Sequence, residues 1–386
     1  MRSRYLLLGI LLCLLTGCGQ KDEITWKEPY EPSKLTEEAV TKDSASAQET
    51  IDRENGEELS SSGEEPKEQL PVEITISAAG DVTMGGYRGQ GYEWSFQQMW
   101  EQQNDPAYFF ENVEPIFSAD DLTIVNLEGP LTTATVFRES QTYCISGDPA
   151  YVEALTAGSV EAVSMANNHL MDYYEAGRDD TVAAVEGAGI VYAFNDRVGI
   201  YETKGIRIGL ISVNVIGYGS GVEKFIKKGM EELKEQQANL ILVNCHWGVE
   251  RENVPEDYAR RLGKNCIDWG ADLVIGHHPH VIQGIEQYNG KYIVYSLGNF
   301  CFGANRNPAD KDCIIFQQTF RFKDGELLED TSAGIIPCSV SSVTNRNDYK
   351  PTPAEGEAYE RILGRMNEYS EEFGVSFDED GVIRTD

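Results

Sequence analysis

The chain has 386 residues and a formal net charge of −32 at pH 7, from 64 Asp and Glu against 32 Lys and Arg. The phosphate backbone repels so acidic a surface, which excludes nucleic acid as a partner. Past an N-terminal polar stretch about 315 residues remain, enough for one large domain or a domain with an appended subdomain.

In chain order, residues 1–17 read as a lipoprotein signal peptide. Arg2 and Arg4 precede Tyr5–Leu15, an apolar run too short for a membrane-spanning helix, which needs roughly 20 residues, and proportioned like a signal-peptide core. Leu15-Thr16-Gly17-Cys18 then reads as a bacterial lipobox, with cleavage before Cys18 and lipid on its thiol. The competing reading is an apolar N-terminal strand followed by an ordinary cysteine. Charge, apolar core, small residues and cysteine fall in the order a lipobox requires, which predicts an exported chain held by lipid at the outer face of the cell membrane. Residues 18–70 are polar and acidic, with Ser60-Ser61-Ser62-Gly63 and almost no apolar periodicity. They bury too little surface to offset chain entropy and are expected to form a disordered tether.

From Pro71 a rhythm of strand then helix sets in. Short buried strands are predicted at Val72–Ala79, Leu122–Asn126, Ala162–Met165, Arg207–Val213, Leu240–Asn244, Leu273–Ile275 and Tyr292–Tyr295. Helices are predicted at Ala107–Ser118, Glu175–Ala188 and Pro255–Trp269, the last with proline in its first turn. After Cys313 the pattern changes: Ile314–Phe322 alternates like an antiparallel strand, and Glu355–Phe373 reads as a C-terminal helix. Alternation of this kind predicts an α/β layered domain over residues 71–345, followed by a helical extension over 346–386. Two helix-covered sheets fit better than one doubly wound sheet. Beyond Cys18, Cys144, Cys245, Cys266, Cys301, Cys313 and Cys338 contain no CxxC pair, which argues against a structural zinc knot. Export permits disulfides, and buried thiols fit equally well.

The five histidines, His169, His246, His277, His278 and His280, all follow predicted strands, where α/β sheets place ligands. The strand ends read Gly80-Asp81, Asn126-Leu127-Glu128-Gly129, Asn167-Asn168-His169 with Asp172, Asn244-Cys245-His246-Trp247-Gly248, and Gly276-His277-His278-Pro279-His280. Taken singly most are weak: Asp81 is more simply a helix cap and Glu128 a surface residue, while His246 reads equally well as a packed partner of Trp247. His278-Pro279-His280 is stronger, because two imidazoles one residue apart can converge on one ion. Together they offer a mixed nitrogen–oxygen set suited to two ions about 3.5–4 Å apart, bridged by carboxylate. Imidazole favours Mn, Fe or Zn over Mg or Ca.

These ordered blocks, with Tyr295-Ser296-Leu297-Gly298-Asn299-Phe300, resemble the CapA family over about Ile74 to Phe302. That family is tied to poly-γ-glutamate capsule synthesis and related to calcineurin-like metallophosphoesterases. The resemblance implies a four-layer αββα metallophosphoesterase-like sandwich. It implies one or two divalent ions held by Asp81, Glu128, Asn168, His246, His278 and His280. It makes His169, with Asn168, the catalytic group that protonates a leaving group, and has Ser296 and Asn299 line the site. His277 falls outside the family blocks, either behind the ligands or exposed. The chain departs from the wider phosphoesterase pattern twice. Asp81 is followed by Val82 and Thr83 where an Asp-x-His is usual, and Glu128 stands where aspartate usually bridges. One position thus lacks an imidazole, and if Thr83 or water fills it, one tight and one labile ion are expected.

The function this implies is capsule assembly, export or anchoring through a metal-dependent hydrolase-like site, by a chain that contacts poly-γ-glutamate or another anionic polymer and membrane subunits of capsule synthesis. The rival is a non-catalytic scaffold whose metal site orders loops and grips the polymer. A chain this acidic does not steer a polyanion by its overall field, so any such contact rests on metal and local groups.

Overall fold

A computed structural model describes residues 70–328 and 332–385. The lipobox, Cys18 and the expected tether lie outside the described residues. Val72–Thr83, with Val72, Ile74, Thr75 and Ile76 at its start, forms the central strand of the first sheet and is buried from Ile76 onward. On one side it pairs antiparallel with Asp312–Lys323 (Val72 opposite Phe322) and on the other parallel with Leu122–Leu127. Past Ala78 the antiparallel partner is replaced by the short parallel strand Asn299–Phe302, with Asp81 opposite Asn299. The pairing with Leu122–Leu127 shifts register between Ala78 and Asp81, an irregularity of the kind that re-aims side chains at sheet ends.

The sheet runs Thr352–Pro353, Ser332–Ser339, Asp312–Lys323, Val72–Thr83, Leu122–Leu127, Ala162–Ser164, Val191–Ala193. A second sheet runs Ile285–Tyr288, Lys291–Val294, Leu273–His277, Leu240–His246, Ile206–Asn214, Gly199–Thr203. The four strands from Val72–Thr83 to Val191–Ala193 are parallel, as are the four from Lys291–Val294 to Ile206–Asn214. Ile74, Ile76, Leu122 and Ile124 of the first sheet share one fully packed core with Leu210, Leu242, Leu273 and Ile275 of the second. The outer face of the first sheet packs on Phe96, Met99 and Val185 of helices Phe96–Gln103 and Tyr174–Gly187. The outer face of the second packs on Ile226, Met230, Leu262 and Cys266 of helices Val222–Glu235 and Asp257–Trp269. This is the α/β sandwich of four layers, helix, sheet, sheet, helix. Its strands are apolar on both faces because both are covered.

The helix Gly356–Ser370 and the hairpin Val375–Phe377/Ile383–Thr385 insert Ile362, Met366, Val375, Phe377 and Ile383 into the central core. The expected helix Ala107–Ser118 is instead a 3-10 turn, Pro106–Phe109, and a separate short helix, Glu114–Phe117. Pro115 lacks an N–H and clashes with the carbonyl four residues back, so the helix must restart with proline in its first turn. Helices Phe96–Gln103 and Val222–Glu235 were not anticipated. The latter carries a regular signal in Val222, Ile226, Met230 and Leu233. The six cysteines of the described residues are free, buried thiols. Among the described residues no helix is long and apolar enough to cross a membrane.

Candidate metal centre

Parallel strands of both sheets end at one place, and their last residues carry the chemistry. Asp81 lies near the end of Val72–Thr83, and Glu128 directly follows Leu122–Leu127. Asn168 and His169 follow Ala162–Ser164. His246 ends its strand, as does His277, ahead of His278 and His280. The approach of the first strand depends on Gly80, where a Cβ would meet the Gly298 carbonyl oxygen at 1.9 Å. That same oxygen accepts the Asp81 N–H at 3.0 Å. His278 and His280 both adopt left-handed backbone, φ 97° and 59°, on either side of Pro279. Such strain costs of order 1–3 kcal/mol per residue, and here it belongs to the turn that presents both imidazoles.

Glu128 is the hub. It is 1% exposed, and its Oε1 lies 3.8 Å from His246 Nε2, 3.8 Å from His280 Nε2 and 4.0 Å from His169 Nε2. Neither Glu128 oxygen accepts a hydrogen bond, and His278 Nδ1 is equally without a partner. Burying such groups unsatisfied is costly, and electron-pair donors facing one another are what a cation resolves. Donor atoms of Glu128, His246 and His278 all lie within 4.8 Å of one another, as do those of Asp81, Glu128 and His280. Glu128 belongs to both groups, the position of a bridging carboxylate. Asn168 joins them through Oδ1, 2.7 Å from His246 Nε2. The residues present therefore fit a divalent ion, and the mixed imidazole and carboxylate donors suit a transition metal.

Amides hold the donors in place. Asn126 Nδ2 donates to Asp81 Oδ1 at 2.8 Å, and the His278 N–H donates to Asp81 Oδ2 at 3.3 Å. Asn167 donates to the Leu127 carbonyl and accepts from the backbone N–H groups of His169 and Leu170, fixing that turn. His169 Nδ1 lies 2.7 Å from Asp172 Oδ2, which also accepts the Ile145 N–H. Of the two residues expected to line the site, Ser296 spends its hydroxyl on the Gly298 N–H, and Asn299 donates to the His280 carbonyl. Asn299 thereby braces the turn that carries His280, and Ser296 the turn whose Gly298 carbonyl accepts from Asp81.

Burial and neighbouring charges compete to set the charge states. It alone would raise Asp81, but His280, His277 and His246 beside it hold its carboxyl well below the usual range. Burial pushes Glu128 up to about 7 against the pull of His280, with the Asp81 charge adding to the rise. Burial lowers His278 to about 4, with His280 adding to the effect, and drives His246 well below its ordinary value. Both offer neutral, ligating nitrogens. His280 is raised to about 9 because Glu128 and Asp81 outweigh its burial. His169 is also raised, its bond to Asp172 and the Glu128 charge overcoming burial.

The structure adds two residues to the expected set. Glu250, exposed four positions after His246, has donor atoms within 4.8 Å of those of His278 and His280. A carboxylate in the loop that follows a histidine-ended strand was the signal available for it. His277, which the sequence left undecided, is only 2% exposed and faces Asp81.

The family model for bacterial capsule synthesis protein PGA_cap matches residues 75–304. The PGA biosynthesis protein CapA of Bacillus subtilis (strain 168) is 32% identical over 265 residues, covering 62% of this chain and 66% of that protein. The capsule biosynthesis protein CapA of Bacillus anthracis is 28% identical over 301 residues, covering 71% of each. The chain thus spans just under two thirds of the former relative's length. Among solved structures, the 5'-nucleotidase of Candida albicans SC5314 aligns at 10% identity and a TM-score of 0.40, covering 79% of this chain and 59% of that one. A likeness that distant bears on neither function nor chemistry. The family match takes in every strand end that carries a donor, and the chain belongs to the bacterial capsule synthesis protein PGA_cap family, the CapA type of poly-γ-glutamate capsule synthesis.

Proposed function

We propose that this chain is an exported lipoprotein, anchored through Cys18 at the outer face of the cell membrane, that serves poly-γ-glutamate capsule synthesis through a metal-dependent hydrolase-like centre. The observation that carries the catalytic part is Glu128, buried without a hydrogen bond and ringed by imidazole nitrogens within 4.0 Å. Asp81, Glu128, Asn168, His246, His278 and His280 would hold one or two ions, Mn, Fe or Zn by the chemistry of the donors. When bound, such ions supply Lewis acidity toward a phosphoryl or carbonyl oxygen. Asp172 fixes the Nδ1 side of the His169 ring, leaving Nε2 to hold the proton that a leaving group takes. The relatives' names point to poly-γ-glutamate or capsule polymer as the anionic partner, with membrane subunits of capsule synthesis alongside. The lipobox supports the anchor.

Metal analysis of the full chain, joined to a hydrolysis screen of phosphate esters and γ-glutamyl polymers, tests this. The expected result is retained divalent metal and cleavage of one class, with His169→Ala losing roughly 100-fold in rate while keeping its metal. Metal without any cleavage would turn the reading to a polymer-binding scaffold, and no metal at all would sink the centre. For the anchor, Cys18→Ser should leave an unprocessed precursor without lipid.

A further inference from the structure

His277 stands outside every donor group described above, yet it has the geometry of a ligand. The first strand end supplies Asp81 but no imidazole, since Val82 and Thr83 follow it. Thr83 Oγ1 is buried and unpartnered, but a neutral hydroxyl is a weak ligand for the metals this site suits. His277 reaches the same place from the second sheet, as the last residue of Leu273–His277 in register with His246. Its Nε2 lies 3.3 Å from Asn244 Oδ1. An amide oxygen only accepts, so Nε2 carries the hydrogen and the lone pair is left on Nδ1. That is how a second partner usually orients a metal-bound histidine. Nδ1 has no hydrogen-bond partner and lies 3.6 Å from Asp81 Oδ1. The gap is long for a hydrogen bond but close to the roughly 3.4 Å that separates two donors on one tetrahedral ion at ordinary bond lengths. On the other side of Asp81, His280 Nδ1 approaches Oδ2 to 3.0 Å without forming an aligned hydrogen bond.

We infer that His277 is a metal ligand, supplying from the second sheet the imidazole that the first strand end lacks. Asp81, His277 and His280 form one donor set, and Asn168, His246 and His278 the other, with Glu128 between them. This rests on the metal-centre reading and sharpens it. Both positions then have two imidazoles, so both ions are retained alike, in place of the tight and labile pair that the sequence suggested.

The test loads the full chain and its His277→Gln and Thr83→Val variants with zinc, removes loose metal with a mild chelator, and counts ions by mass spectrometry. Wild type and T83V should keep two ions per chain and H277Q one. Retention by H277Q equal to wild type overturns the assignment and leaves the metal centre standing, whereas an empty wild type overturns both. Should H277Q fail to fold, X-ray absorption on zinc-loaded wild type decides. Four imidazoles shared between the two zincs support the inference, and three overturn it.

Discussion

Asp81 and Glu128 are buried and Asp120 is half-buried, and the surroundings of each set its charge. Asp81 keeps its charge through two amide donors and nearby imidazoles. Glu128 has the imidazoles without the amides and is pushed up to about 7. Asp120 lies at the opposite end of its sheet, just before the strand Leu122–Leu127. Burial raises it from 3.8 to about 7, with Glu161 and Asp121 adding to the rise and bonds to Ser77 and Thr123 only partly opposing it. The folded chain therefore binds this proton more tightly than the unfolded chain, so stability falls as pH climbs from about 4 to about 7. Asp120→Asn keeps an oxygen for the Thr123 hydroxyl and removes the buried charge. It should raise the melting temperature by roughly 2–4 °C at pH 8, for about 1 kcal/mol, and the gain should vanish near pH 4. A gain that does not depend on pH would show that the charge is not the cause.

Among the elements, the strand Val72–Thr83 and the helix Gly356–Ser370 carry different kinds of constraint. The strand's is steric: at Gly80 a methyl group would enter the Gly298 carbonyl, which is backbone and cannot swing aside. Gly80→Ala should cost about 3 kcal/mol or more, the upper end of overpacking, seen as a lower urea midpoint. Wild-type stability in that variant would show that the close crossing of the two segments is not what excludes a side chain at Gly80. The helix is held by polar contacts as well as by Ile362 and Met366. Arg365 donates to both Asp310 and Asp312, and Arg361 donates to Asp312. Arg365→Ala leaves Asp310 without its helix cation and should cost about 2 kcal/mol. Because the helix contributes no donor atom to the candidate centre, metal retention should not change.

At the scale of the whole molecule, the net charge of −32 opposes any acidic polymer while favouring cations. A cation that binds only the folded chain stabilises it by mass action, about 2.7 kcal/mol at 100 times its dissociation constant. Micromolar manganese or zinc should therefore raise the melting temperature of the wild type. Glu128→Gln, which removes the shared charge, should abolish most of that rise. An equal rise in the variant would place the binding on the acidic surface instead. For an anionic polymer the field works the other way. Association should quicken as added salt screens the repulsion, and slowing with salt would reveal a basic docking surface instead.

The sequence by itself determined most of the strands, because parallel strands covered on both faces read as short apolar runs bounded by turn residues. It also pointed to most of the candidate donors, because a histidine or carboxylate straight after such a run lands at the end of the sheet whatever the connections do. The helices were less legible. Pro115 divides one that apolar spacing alone had joined, and Phe96–Gln103 has little apolar pattern to display. Tertiary structure alone decided which strand ends meet. Asp81 and His277 are almost 200 positions apart on different sheets, and neither local spacing nor composition records that the sheets stack with these two ends adjacent. It likewise decided that Ser296 and Asn299 brace turns, that Glu250 stands beside His278 and His280, and that the six thiols are buried unpaired. Each of these depends on what surrounds a side chain in space, and the packing of two sheets around one core fixes that.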